Sequence, residues 1–279
     1  MKKLRIPALL LGAAMALTLV SGCSKETAPT LESVITSAQE RSNAAASQDM
    51  DMVLDCNMEA SQMGITVDAS ILMDCDIQET QDPEVAHILG DMKVSSLGSE
   101  QAYTLDSYAA KDGDSYVSYS NIIMGEEESG WVKASLDVSS LQGYSGVNNY
   151  DFITVSPEEY TFTENEDGTC TVTGAVSGEQ FNELFSENSE ISTMMSDMGI
   201  EMGSMAYTMD MLFSPVSGQK GAYELTSCSV ALTEPFVITQ DGVEITFSKM
   251  DITIVVNGYN TVDTIEIPEE ALQAEEISY

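Results

Sequence analysis

Residues 50–60 read Met-Asp-Met-Val-Leu-Asp-Cys-Asn-Met-Glu-Ala, and residues 65–77 read Ile-Thr-Val-Asp-Ala-Ser-Ile-Leu-Met-Asp-Cys-Asp-Ile. In the first run Met52, Leu54, Cys56, Met58 and Ala60 share one side of an extended chain. Asp51, Asp55, Asn57 and Glu59 share the other, with Val53 as the exception. In the second run Ile65, Val67, Ala69, Ile71, Met73, Cys75 and Ile77 form the apolar side. A period of two marks strands with one dry and one wet face. With Gly64 between them, the two runs read as a long antiparallel hairpin.

The same pattern continues outward. Strands are expected near Gln101–Ala109, Ser115–Ser120 and Gly130–Ala134, with a turn at Lys111–Asp114. Further strands are expected at Tyr160–Thr163 and Thr169–Val176, around a turn at Asn165–Gly168. Four more lie near Ala222–Leu232, Phe236–Thr239, Val243–Val256 and Val262–Ile267, the middle pair joined at Asp241-Gly242. Two segments have helical spacing instead. Leu31, Val34, Ile35 and Ala38 follow a candidate N-cap, Thr30, in a helix that ends in the run Asn43–Gln48. Near Gly178, Ser177 and Gln180 have capping-box spacing, and Phe181, Leu184 and Phe185 make an apolar stripe. No linker divides residues 31–279, so they read as a single, mostly antiparallel β domain with a helix–sheet–helix–sheet order and no sequence repeat.

The N-terminus has a different organisation. Lys2, Lys3 and Arg5 precede an apolar stretch from Ile6 to Val20, the layout of a secretory signal and shorter than a comfortable membrane span. Val20-Ser21-Gly22-Cys23 resembles the bacterial lipobox. That resemblance implies cleavage after residue 22, diacylglycerol on Cys23, a tether over residues 23–30, and a protein held by lipid at the outer face of a cell membrane. Beyond residue 22 the chain carries seven basic and 46 acidic residues. So acidic a chain is no nucleic-acid binder, because phosphate recognition needs clustered Lys and Arg. The acidity reads as a solvated surface, while 43% hydrophobic residues suffice for a core.

Four cysteines follow Cys23: Cys56, Cys75, Cys170 and Cys228. None forms a C-x-x-C pair, so neither zinc nor dithiol redox chemistry is indicated. Cys56 and Cys75 sit on the apolar faces of their strands. A hairpin folding around Gly64 and Ile65 puts them directly opposite or one diagonal step apart, and the first register admits a disulfide.

Several features together resemble the LolA-like and LppX/LprG-like cell-envelope lipoproteins, including Gram-positive members of uncharacterised function. They are the lipobox, the first helix, the hairpin Met50–Ile77, Tyr103, Asp112-Gly113-Asp114-Ser115-Tyr116, Gly130-Trp131-Val132-Lys133, the stripe within Gln180–Phe185, and Ile265-Glu266-Ile267-Pro268. The resemblance covers roughly residues 31–275. It implies an α+β, mostly β fold: a curved antiparallel sheet, or half-barrel, with a few helices packed on its concave face. It also implies a concavity that holds lipid in some relatives, and it carries over no catalytic residue.

Sites of chemistry are few. His87 is the only histidine and falls in the run Asp82–His87, which reads as a solvent-facing connection. A Ser-His-Asp or Cys-His mechanism would have to use it. Gly143-Tyr144-Ser145-Gly146-Val147 lacks the last glycine of a nucleophile elbow. Glu126-Glu127-Glu128, close to Trp131, could take calcium or line a sugar site, but no spaced calcium-loop pattern accompanies it and a solvated loop explains it. No metal or cofactor is expected. Met194, Met198, Met202, Met205 and Met209 step by 4, 4, 3 and 4 along one helical face, although Gly199 and Gly203 weaken a continuous helix. This face reads as core packing, as a flexible apolar lid over a ligand, or as a thioether Cu(I) site.

The leading functional expectation is a non-catalytic, membrane-anchored protein binding a lipid or other hydrophobic molecule, with Phe181, Leu184, Phe185 and the methionine face as candidate contacts. A surface structural or interaction lipoprotein with a filled core is the alternative. An acid-pair hydrolase comes third, since it would need two carboxylates converging in a cleft.

Overall fold

Thr30 opens the first helix. Its Oγ1 accepts the Ser33 N–H at 3.3 Å while Ser33 Oγ accepts the Thr30 N–H at 2.9 Å. This reciprocal cap satisfies two N-terminal donors of α1 (Leu31–Ala44), whose Val34, Ile35 and Ala38 are buried. The computed structural model describes residues 28–113, 115–125, 127–136, 153, 157–177, 206–240 and 242–276.

The hairpin follows α1. β1 (Ser47–Gln62) pairs with β2 (Ile65–Gln81) without interruption from Ser47↔Thr80 to Gln62↔Ile65. Its two-residue turn, Met63-Gly64, has positive φ at both positions (52° and 80°), the conformation that matches strand twist. The remaining strands are β3 (Glu84–Ser96), β4 (Ser99–Asp112), β5 (Ser115–Met124), β6 (Glu127–Glu128), β7 (Val132–Leu136), β8 (Tyr160–Glu164), β9 (Cys170–Ser177), β10 (Ala206–Pro215), β11 (Tyr223–Leu232), β12 (Phe236–Gln240), β13 (Val243–Tyr259) and β14 (Glu275–Glu276). A short helix, α2 (Glu269–Leu272), precedes β14.

Among the described residues these strands form one sheet, ordered β14-β7-β5-β4-β3-β2-β1-β13-β11-β10-β9-β8, with β6 on β5 and β12 on β13. Among the described strands only β14, on β7, pairs in parallel. The fold is mostly β: a large, curved, unclosed sheet with two helices among the described residues. β1 lies in mid-sheet, between its neighbour in sequence and the long penultimate strand β13.

Adjacent residues of β1 define the two faces. Gln48 Nε2 donates to Ser42 Oγ of α1 at 3.4 Å, and Ser47 Oγ accepts the N–H of Val262 at 3.1 Å. We call the α1 side inner and the other side outer. The largest core lies on the inner face of β8–β11. There Val34, Ile35 and Ala38 of α1 pack with Phe213, Met209, Met211, Leu225, Val172 and Cys170. A second core lies on the outer face of β3–β5. There Val85, Tyr108, Val117 and Tyr119 are covered by Ile265, Ala271 and the partly buried Trp131, Val262 and Ile267. A third, smaller cluster joins Tyr207, Phe236 and Ile238, with Phe236 stacked on Phe247 at 4.7 Å. The sheet therefore buries opposite faces in its two halves.

Four expectations change. His87 is on β3, not in a connection. Met209 and Met211 are on β10, where Tyr207, Met209, Met211 and Phe213 alternate inward at the period of a strand, so Met209 does not continue a helical face. Val262–Ile267 forms no ladder and is an irregular segment packed over the outer core. That segment and the α2 residue Ala271 lie on the outer face, so the helices do not share one side of the sheet.

Candidate functional site

Cross-strand registration assembles the hairpin's apolar side into long rows. Met209 of β10 is opposite Val230, Val230 opposite Ile252, and Ile252 opposite Leu54. The row continues through Met73, Met92 and Tyr103 to Met124. A parallel row runs Met211, Cys228, Ile254, Met52, Cys75, Gly90, Leu105, Ile122. Burial falls along the first row, whereas in the second Cys75 and Gly90 stay buried between half-buried neighbours before the row opens at its end. Met209 and Met211 are 4% and 2% exposed beneath α1, while Met124 and Ile122 reach 45% and 46%. Between these ends Met52, Leu54, Met73, Met92 and Leu105 are half-buried. The result is an apolar surface across the inner face of β13 and β1–β5, rich in adaptable methionine.

Gly90 interrupts the second row for a steric reason. A Cβ at Gly90 would run into Cys75 Sγ, with the Asp74 carbonyl 2.9 Å away. The Cys75 thiol leans across the space a side chain would have used, and it is 2% exposed. Burial, reinforced by Asp74, Asp76 and Asp91, raises its pKa, so the neutral thiol is favoured. Burial likewise raises Cys56, with Asp55 adding to it.

Cys56 and Cys75 do not pair. Cys56 is opposite Ile71 and Cys75 is opposite Met52, so the two cysteines are four residues out of register, roughly 13 Å along the strands. The turn is one residue nearer the N-terminus than Gly64-Ile65, and that displacement moves each partner by two. Cys56, Cys75, Cys170 and Cys228 are free thiols.

The outer face of the same strands is acidic. Asp51 is opposite Asp76, Asp74 opposite Asp91, and Asp55 opposite Asp251. Lys249 Nζ bridges the last pair, at 2.6 Å to Asp55 and 3.4 Å to Asp251. Asn257 Nδ2 donates to Asp51 at 2.9 Å, and Thr104 Oγ1 donates to Asp91 at 2.8 Å. Burial first, then the Asp51 carboxylate, raise the pKa of Asp76. A cavity of about 460 Å³ on this face is lined by Asp74, Asp76, Asp91, Lys93, Leu72 and Leu89, among others. Among the described residues no group of three or more His, Cys, Asp or Glu side chains is arranged to hold a metal ion.

His87 lies on the outer face. Its Nε2 is 2.9 Å from Asp106 Oδ1, and its ring stacks on Tyr108 at 4.2 Å. Tyr108 in turn meets Trp131 at 5.8 Å, so the histidine belongs to the wall of the outer core. Glu127 and Glu128 form β6 on the end of β5. Of the candidate ligand contacts, Met209 is the floor of the core under α1. Phe181, Leu184, Phe185, Met194, Met198, Met202 and Met205 lie outside the described residues, as does Cys23. Among the described residues no helix is long and apolar enough to cross a membrane. Sequence reading missed β3 and the partners of its inner residues, although Ile88, Met92 and Val94 carry the signal.

Residues 30–276 match a family described as a family of unknown function, DUF6612. No curated protein matches the chain. Among solved structures, the chain is similar to a β-barrel-like protein of the domain of unknown function DUF1849 from Brucella abortus. The identity is 7%, 77% of this chain and all of that one are covered, and the TM-score is 0.28. It is also similar to a protein from Nitrosomonas europaea described as an AttH candidate. There the identity is 10%, 77% of this chain and 53% of that one are covered, and the TM-score is 0.24.

Proposed function

We propose that this chain, which belongs to the DUF6612 family over residues 30–276, is a non-catalytic binding protein held at the outer face of a cell membrane, and that it takes a lipid or other hydrophobic molecule on the inner face of its sheet. One observation carries the reading. The row through Leu54, Met73 and Met92 is continuous with a true core at one end yet stays half-exposed over the strands beyond it. Burying such a strip against an apolar ligand is worth roughly 25 cal/mol per Å² removed from water. Methionine lets the strip fit acyl chains of differing shape. The lipobox at Cys23 supports the membrane location.

Native mass spectrometry and solvent extraction of the purified protein test the ligand. Recovery of a lipid or other apolar molecule is expected, and Met73→Asp should abolish it. A protein that is repeatedly ligand-free, and that does not bind a fluorescent fatty acid, would overturn the reading. Fatty-acid labelling that persists in Cys23→Ala would overturn the anchor.

A second reading has its own support. Over β8–β11, α1 fills the inner face with fully buried Val34, Ile35 and Ala38. A domain whose whole inner face were packed in this way would serve as a surface interaction lipoprotein, and it would be the empty protein of the same experiment.

A further inference from the structure

At one end of the sheet an apolar residue precedes glycine three times: in the turns Met63-Gly64 between β1 and β2 and Leu97-Gly98 between β3 and β4, and at Met124-Gly125, where β5 ends. Met63 is 98% exposed, Ile65 beside it 70%, Leu97 80% and Met124 45%. Met63 and Leu97 also hold φ at 52° and 53°. That left-handed region suits Asn or Gly and strains larger side chains, so neither residue is the choice that turn stability makes. Twice, then, the chain keeps an unfavourable turn residue that is also a bare apolar side chain.

The opposite end of the sheet is polar, with turns at Asp82-Pro83, Lys111-Asp112-Gly113 and Ser217-Gly218-Gln219. The apolar tips are also staggered. Ser96 pairs with Ala69 rather than with Ile65, and Met124 pairs with Tyr103 rather than with Ser99. Each tip is thus set back by four residues from the one before it, and the three make a stepped rim.

We propose that this rim inserts Met63, Leu97 and Met124 into the interfacial layer of a zwitterionic lipid bilayer. Met63 and Leu97 stand on separate turns and Met124 ends β5, so the three are separate wedges, and a bilayer accepts isolated wedges where a protein interface buries a contiguous patch. The net charge of −36 sets the lipid class, because an anionic surface would repel the domain. The inference does not depend on the ligand reading, since a sheet with an empty inner face can still insert its rim.

The test uses the full chain with phosphatidylcholine vesicles. Met63→Trp and Leu97→Trp place probes at the rim, Gln219→Trp places one at the polar end, and the native Trp131 is the common background. On adding vesicles, the rim probes should shift to the blue and be quenched by lipids brominated in their acyl chains, while the Gln219 probe should not. An N-terminal lipid anchor leaves this contrast intact, because the signal is read at the tip. A Met63→Asn, Leu97→Asn variant carrying Met124→Trp should keep its circular dichroism and lose about tenfold or more in quenching. Three results would overturn the proposal: rim probes indifferent to vesicles, equal quenching at Gln219, or a blue shift that follows protein concentration without lipid, which would mean a second copy covers the rim.

Discussion

Cys75 and Gly90 act as one packing unit, with the thiol of one filling the place of the other's missing side chain. Gly90→Ala should therefore lower stability by about 1–3 kcal/mol, read as a shift in denaturant midpoint. Adding Cys75→Ala should recover part of that loss, since the two sites share one space. The four thiols give a second expectation. Cys56, Cys75, Cys170 and Cys228 should alkylate slowly in the native protein and completely once unfolded, with no dependence on reductant. Burial, with Asp210 adding to it, pushes Cys228 up to about 11 from 9.0, and burial pushes Tyr207 up to about 12 from 10.0. The unfolded chain then gives up protons that the native chain keeps. Stability should hold below pH 9 and fall as pH rises towards 12, as midpoints at pH 8, 10 and 11 would show. At this scale the sequence was only half legible. Alternation correctly put Cys56 and Cys75 on one face, but registration depends on which two residues form the turn.

Elements with a single periodicity were read well, and elements answering to two neighbours were not. Thr30, Val34, Ile35 and Ala38 showed both cap and stripe, and α1 begins at Leu31. β3 was missed because it packs on both sides. Ile88 and Met92 face inward, Val85 belongs to the outer core, and Gly90 breaks the alternation. On β10 the strict alternation from Tyr207 to Phe213 was present, but the preceding methionines at helical spacing outweighed it. The turns carry the prediction proper to this scale. Met63→Asn and Leu97→Asn should each leave thermal stability unchanged or raised, because Asn tolerates the left-handed conformation that Met63 and Leu97 adopt. A fall in melting temperature in both would mean that these side chains pack in the folded state.

For the molecule as a whole, the gradient of burial along one row ranks substitutions. Met209→Ala, beneath α1, should cost about 2–5 kcal/mol, whereas Met124→Ala on the same row should cost well under that. Equal costs would show that the inner face is covered throughout. The sheet's order has a further consequence, for the time course of assembly. β1 is the first strand made, yet one of its edges waits for β13, and Asp55 meets Lys249 across 194 residues of chain. A chain made from its N-terminus can build the meander β1–β5 from local hairpins, but that meander keeps an open edge until the last long strand is complete. Asp51 and Asp55 along β1 repel a like copy during the wait, and Lys249 arrives with β13 to neutralise one of them. The seam of this sheet is thus in its middle, and a chain truncated before β13 should keep that edge open rather than fold as a smaller stable domain, as loss of a cooperative unfolding transition would show.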